Sequence, residues 1–250
     1  MTILLSPAKT MGTPAVDPVV FAHATTPRFL PVARELVNTV LHTSPDELQT
    51  RLKMSDALTE RTIREYRNWS IPAHDTSGVP ALAAFTGAVF QALDAATLDH
   101  DTWQDAQCGE QRLRILSALY GILRPYDRVL PHRLEADREI YRFWSNQITE
   151  ELLAEESGEI VNLASQEFSN LLDMERLKNA GRVICTPVFQ EFRGGKRRVV
   201  GTYAKKQRGA MARWILTTRL PSVSDIPNYR LHEYKWHEEF STPERPVFVR

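Results

Sequence analysis

Apolar positions along this chain fall into two patterns. Short, mostly apolar runs, each followed by small or polar residues, occur at Thr2 to Leu5, Leu113 to Tyr120 and Glu159 to Ser165. The first and third predict buried strands; the second reads as a strand or a short buried helix ending at Gly121, with Arg124 to Asp127 as a turn. Between them, apolar residues recur at helical spacing: Leu48 with Leu52; Leu58, Ile63 and Tyr66; Tyr141, Trp144 and Ile148; Met211, Trp214 and Ile215. Each set predicts an amphipathic helix.

Boundary residues sharpen several of these elements. Pro31 suits the first turn of a helix running to Leu41. Ser44-Pro45-Asp46-Glu47 places a cap, a proline at the first helical position and a carboxylate for a capping box. A second cap, Ser55-Asp56, follows Lys53-Met54, so two helices meet in a hairpin whose amides and Lys53 could face a phosphate backbone or serve packing only. Further on, a β-rich run from Val183 to Glu191 contains Pro187, which predicts an edge or a bulge. It pairs through a Gly194-Gly195 turn with a strand over Lys196 to Tyr203, and a helix over Ala204 to Leu216 follows. Val247 to Val249 predicts a last strand. Met11 to Pro31, Pro72 to Pro80 and Leu220 to Tyr229 read as loops, Asp99 to Gly109 as a polar segment with Trp103, and Gly87 as a point of close backbone approach. No internal repeat is evident.

Composition narrows the class. With 250 residues, 42% hydrophobic and 25% charged, the chain can bury a proper core in one or two domains. No apolar run reaches the roughly 18 residues of a membrane span and no leader pattern opens the sequence, so a soluble, cytoplasmic protein is expected. Cys108 and Cys185 lie far apart without metal-ligand spacing, and the seven histidines show no close ligand pairing. No metal, cofactor or disulfide framework is expected. His237-Glu238-Glu239 is the compact His/carboxylate group, and a solvated tail explains it equally well.

Charge adds the main functional signal. The 31 Lys and Arg balance 31 Asp and Glu, so attraction for a polyanion must come from distribution. Arg193 to Arg213 holds Arg193, Lys196, Arg197, Arg198, Lys205, Lys206, Arg208 and Arg213 without an acid, countered by the acidic Glu150 to Glu159. Either a polyanion-binding surface or a solvated charged face fits. Ser6-Pro7-Ala8-Lys9-Thr10 follows the first strand, where open sheets gather ligand groups, but lacks the glycines of a phosphate loop. Tyr120 and Arg124 flank Gly121 and could hold an anion or stack a base. His132 beside Glu135 could be an acid/base pair or ordinary packing.

The motifs ILLSPAKTM at Ile3 to Met11, FTGAVFQAL at Phe85 to Leu93, LRILSALYGILRPYD at Leu113 to Asp127, RLE at Arg133 to Glu135, YRFWSNQIT at Tyr141 to Thr149, VNLASQEF at Val161 to Phe168 and YAKKQRGAMARW at Tyr203 to Trp214 occur in family order. On them the chain resembles the YaaA peroxide-stress-protein family of bacterial cytoplasmic proteins. The resemblance implies an α+β fold: a single compact domain over residues 1–250, with a central mixed β-sheet flanked by helices and a helical hairpin in the N-terminal half. It also implies a positively charged cleft that binds DNA and a role in limiting iron-dependent oxidative damage; the expected partner is double-stranded DNA bound without sequence preference, and the expected state a monomer. Ser6, Lys9, Thr10, Tyr120, Gly121, Arg124, Pro125, Lys205, Lys206, Arg208 and Gly209 carry family motifs. One departure is a shortened loop after Glu135, where Ala136 to Glu139 leads straight into the Tyr-x-Phe-Trp helix.

Two functional expectations follow. In the first, Lys205, Lys206, Arg208, Lys9 and Arg124 line one cleft and neutralise DNA phosphates, the island's helix start adding its amides. In the second, the chain is an enzyme on a nucleic acid or nucleotide-like substrate. A desolvated Lys9 would act as a Schiff-base nucleophile while Tyr120 and Arg124 hold phosphate or base. Direct iron sequestration is disfavoured by the scattered histidines.

Overall fold

The structure, a computed structural model, describes residues 1–14, 22–98 and 112–250. Parts of the predicted loop after Met11, and the polar segment with Trp103 and Cys108, lie outside the described residues.

The apolar runs form one sheet. Strands β1 (Thr2–Leu5), β3 (Leu113–Ser117), β4 (Gly121–Leu123), β6 (Glu159–Asn162) and β7 (Val183–Cys185) assemble in the order β4-β3-β1-β6-β7. Every pairing is parallel except β3 with β4. Ile3, Leu4 and Leu5 are wholly buried, as a strand covered on both faces requires. The ambiguous run at Leu113 is therefore a strand, and at Gly121 the chain turns back along it.

A smaller sheet holds β8 (Val188–Arg193), β9 (Lys196–Arg198), β10 (Lys235–Trp236) and β11 (Val247–Val249), in the order β10-β11-β8-β9. Pro187, expected inside one strand, marks the break between β7 and β8, which belong to different sheets. A third pairing joins β2 (Val79–Pro80) to β5 (Arg128–Val129).

Helices surround these sheets. α1 (Leu30–His42), α2 (Pro45–Leu52) and α3 (Asp56–Asn68) follow the predicted spacing. Ser44 caps α2 by accepting from the Glu47 amide, whereas Ser55 precedes α3 without a side-chain cap bond. Lys53 closes α2 at φ 50°, so the helical hairpin forms as expected. Pro72 to Pro80 is not a loop: Ser70 caps α4 (Ile71–Ser77), and Pro72 sits in its first turn, where its missing N–H costs nothing. α5 (Ala81–Ala84) and α6 (Ala88–Leu93) follow. α7 (Arg138–Ala154) is capped by Asp137, which accepts from the Glu139 and Ile140 amides. The short turn after Glu135 thus ends directly in a cap. α8 (Gln166–Ser169), α9 (Met174–Asn179) and α10 (Gly201–Thr217) complete the set, and Leu220 to Tyr229 contains a six-residue 3-10 helix, Val223–Asn228. The result is an α+β fold around one hydrophobic cluster centred on β1 and β3.

The expected long strand after Gly194-Gly195 ends at Arg198, and α10 begins at Gly201 rather than Ala204. Gly194 and Gly195 adopt φ 56° and 72°, the two left-handed positions a tight hairpin turn requires.

Candidate functional site

Parallel strands send their C-terminal ends to the same edge, and here three of them deliver serines: Ser6 after β1, Ser117 at the end of β3 and Ser165 after β6. The chain leaves β1 toward β3 on one side and later returns to β6 on the other, so Ser6 and Ser165 flank the switch point where a crevice opens. Ser6 Oγ accepts from the Ser165 amide at 2.8 Å and lies 3.2 Å from Ser165 Oγ. The buried Asn162 shapes that turn, accepting from the Ala164 amide and donating to Ser169 Oγ.

Backbone bonds fix the loop bearing Lys9. Thr10 O accepts from the Thr86 amide and Ala84 O from the Gly12 amide, while Ala8 packs on Gly87 so closely that a Cβ there would lie 2.8 Å from the Ala8 methyl. The expected close approach at Gly87 is present. α10 closes the opposite side. Lys205 and Arg208 stand three residues apart, hence on one helix face, and with Ser6, Lys9, Thr10, Val89, Ser165 and Glu167 they line a pocket of about 310 Å³.

Electrostatics single out Arg208. It is partly buried, and desolvation alone pushes its pKa below the ordinary guanidinium value. Among the described residues no carboxylate pairs with it or with Lys205. Lys9 differs: its Nζ lies 2.6 Å from Glu135 Oε1, and Arg133 approaches the same oxygen at 3.4 Å. Glu167 is the carboxylate within the pocket itself.

A recess of about 40 Å³ adjoins the pocket, sharing Pro7, Ala8, Lys9, Glu167 and Phe168 and adding Ser117, His132, Arg133 and Glu135. His132 Nδ1 donates to Leu130 O at 2.8 Å, which leaves Nε2 as an acceptor. Burial pushes its pKa down to about 4, so the ring is neutral. His132 and Glu135 share this recess, but each is hydrogen-bonded elsewhere, so of the two readings of these residues the acid/base pair does not form.

Of the residues singled out from sequence, Ser6, Lys9, Thr10, Lys205 and Arg208 come together. Lys206 is exposed, and its position on α10 lies about 100° around the helix from Lys205. It does not line the pocket. The island's cations sit one to two turns inside α10, so the helix-start amides are not at the site. Arg124 lines a separate hollow with Arg28, Arg114, Asp127 and Glu151, paired with Asp127 at 3.4 Å. Because β4 runs antiparallel to β3, it carries Arg124 back toward Arg114, away from the serine edge. Tyr120 is wholly buried and presents no face for stacking. Its hydroxyl accepts from Trp69 Nε1 and the Leu130 amide, at 3.0 and 3.1 Å, and donates to His74 Nε2 at 3.0 Å. His74 Nδ1 in turn donates to Ser70 O, a neutral tautomer consistent with its lowered pKa. Sequence reasoning missed Ser165 and Glu167, although Ala-Ser after a strand was the same signal that pointed to Ser6. Among the described residues no group of His, Cys, Asp and Glu has metal-binding geometry, and no helix is long and apolar enough to cross a membrane.

Comparison with known proteins adds the following. The sequence model described as "Peroxide stress protein YaaA" matches residues 1–240. The chain is 37% identical to a UPF0246 protein of Hahella chejuensis, over 100% of this chain and 99% of the relative. It is 37% identical to one of Idiomarina loihiensis (100% and 98%) and 36% identical to one of Ralstonia nicotianae (100% and 99%).

Proposed function

The chain belongs to the family of peroxide stress protein YaaA, also named UPF0246, and from that premise we propose that it protects cells from peroxide by binding duplex DNA through the backbone phosphates. The observation carrying this reading is Arg208: a partly buried guanidinium without a carboxylate partner among the described residues, beside Lys205, facing the Ser6 and Lys9 loop. An unpaired cation with reduced hydration favours an incoming phosphate, and Arg offers it a two-pronged donor. Ser6, Thr10 and Ser165 add neutral donors. Lys9 joins once phosphate competes with Glu135, an exchange made easy by the 60% exposure of its side chain. The hairpin at Lys53, an exposed lysine between two helices, offers a further backbone contact. The protein is monomeric and cytoplasmic in this reading, and its effect on free iron is indirect.

The test is duplex binding by fluorescence anisotropy across a salt series. Wild type shows a log-log slope of roughly −0.9 for each phosphate contacted. Arg208→Gln and Lys205→Ala each make the slope shallower by about one contact, and an Arg208→Gln strain loses peroxide resistance. A flat salt dependence in wild type overturns the proposal.

A chemical role finds support in one observation: the neutral His132, its Nε2 unbonded, borders Lys9 in the recess. In that reading the Lys9 amine adds to an aldehydic sugar carbon and water leaves, with His132 moving the proton. Lys9 is not desolvated among cations as the amine chemistry was expected to need, since Glu135 holds it. Borohydride reduction, which converts such an imine to a stable amine, would leave Lys9 covalently joined to abasic DNA. Absence of that adduct in single turnover removes this reading.

A further inference from the structure

Outside the pocket, the strongest concentration of like charge is the ribbon formed by β8 and β9. Its register pairs Glu191 with Arg198, Phe192 with Arg197 and Arg193 with Lys196. Side chains alternate across a strand, so Arg193, Lys196 and Arg198 share one face with Glu191, and Phe192 and Arg197 occupy the other. Glu191 does not neutralise that face: it is buried and is engaged by Arg250 and by the Tyr234 hydroxyl. Among the described residues none of Arg193, Lys196, Arg197 and Arg198 has a carboxylate within ion-pair distance. In a chain with equal numbers of acids and bases, such an uncompensated face is a local departure.

Two arginines of the ribbon are held by aromatic contacts. Arg193 lies 5.7 Å from the Tyr203 ring centre, and Arg197 lies 3.3 Å from that of Phe240. Tyr203 belongs to the first turn of α10, and Lys206, three residues on, lies on nearly the same side of that helix. Lys206 therefore belongs to the ribbon's side of α10, with Lys205 and Arg208 around the helix at the pocket. From Arg198 to Arg208 the chain spans at most about 20 Å, taking roughly 3.4 Å per extended residue and 1.5 Å per helical residue. That is shorter than one turn of B-DNA, about 34 Å.

We propose that the cationic face of the β8–β9 ribbon, extended by Lys206, is a second backbone-contacting surface for the duplex held at the pocket. This inference rests on the DNA reading above. The ribbon's exposed edge, width and charge suit a two-stranded element lying against a phosphate backbone. Lys196 and Arg198 are the primary contacts, because both are exposed and unpaired; Arg193 is shared with Tyr203.

The experiment compares wild type, Lys196→Ala/Arg198→Ala and Arg208→Gln in the same salt series on a 30-base-pair duplex. The ribbon variant is expected to reduce the magnitude of the slope by about 1.8, two contacts at 0.9 each, with its melting temperature unchanged. Inorganic phosphate, a single anion that cannot span both surfaces, should bind wild type and the ribbon variant alike. An unchanged slope on the duplex, with or without altered solubility, overturns the ribbon proposal and identifies its charges as protection of an open strand edge. In that outcome a shallower slope for Arg208→Gln leaves the pocket reading standing. A wild type with no salt-dependent binding removes both.

Discussion

Gly209→Ala is the substitution for which the structure sets the sharpest expectation. Gly209 lies on α10 where that helix crosses α6, and a Cβ there would stand 2.0 Å from Val89 O, 2.9 Å from Val89 C and 3.0 Å from the Ala92 methyl. The nearest obstacle is a backbone carbonyl, which no rotamer change removes, so the helices must part by more than about 1 Å to restore contact distance. Overpacking of this kind costs about 1–3 kcal/mol. Replacing glycine inside a helix returns about 1 kcal/mol of propensity. An immovable carbonyl puts the clash at the top of that range, about 3 kcal/mol, and a net loss of about 2 kcal/mol is expected, a fall of roughly 4–8 °C in melting temperature for a chain of this size. Gly201→Ala supplies the control. It lies in the first turn of the same helix with nothing within 4 Å of the added carbon, and should be neutral or stabilising by up to about 1 kcal/mol. Thermal and urea melts of the two variants measure both signs. Gly209→Ala at or above wild-type stability would refute the packing argument. Val89 also lines the pocket, so the same variant should bind duplex more weakly although it removes no cation.

Three further outcomes are expected. Tyr120→Phe removes a hydroxyl that serves Trp69, His74 and the Leu130 amide, and stranding buried partners at about 1–3 kcal/mol each should cost at least about 2 kcal/mol in urea unfolding. His132 titrates near 6.5 unfolded and about 4 folded, so below pH 6.5 the unfolded chain binds a proton that the folded chain refuses. Its contribution is complete above pH 6.5 and is lost as pH falls toward 4, by at most ~3 kcal/mol; stability measured from pH 7 to 4 should fall less steeply in His132→Gln. Burial pushes the Cys185 thiol up to about 12, so in a Cys108→Ser background neither iodoacetamide nor hydrogen peroxide should modify Cys185 at pH 7.5 without denaturant. Rapid native-state modification would contradict its burial.

What the sequence made legible was local. The Ser44 cap, the Gly194-Gly195 turn and the α7 stripe each depend on residues within a turn or two of one another, and each formed. The start of α10 did not follow local rules. Val199 and Val200 favour extended backbone and Gly201 is a poor helix former, yet the close packing of α10 on α6, permitted by Gly209, sets the helix in place. The Pro72 segment departs from its loop expectation for the opposite reason: Ser70 and Pro72 are themselves a local helix-start signal, and the prolines and Gly78 that suggest a loop lie at the ends of the short helix they start. Tyr120 and Arg124 fall in a motif shared with the serine edge, but the turn at Gly121 separates them. One is sealed beneath Trp69 and His74, and the other is carried to the far end of β3. Tyr120 is sealed largely by partners far away in the chain, Trp69 and His74, whereas Arg124 is placed locally, by the antiparallel return of β4 and by Asp127 within the same motif.

The basic island shows how a one-dimensional run divides in space. Arg193 to Arg208 reads as one charge block, yet strand alternation separates Arg197 from Arg198, and the helix turn separates Lys206 from Lys205. The result is two surfaces: the pocket pair, an exposed Lys205 with a partly buried Arg208, and an open face of Arg193, Lys196, Arg198 and Lys206. In the proposed reading, reduced hydration at Arg208 would favour an anion that fits the pocket, while the open face would attract any polyanion and be screened readily by salt. A double substitution of Lys205 and Lys206 therefore removes one cation from each surface and cannot tell them apart. Substituting Arg208 alone and Lys206 alone does: loss of Arg208 should weaken binding of inorganic phosphate and of duplex alike, whereas loss of Lys206 should weaken binding of duplex only.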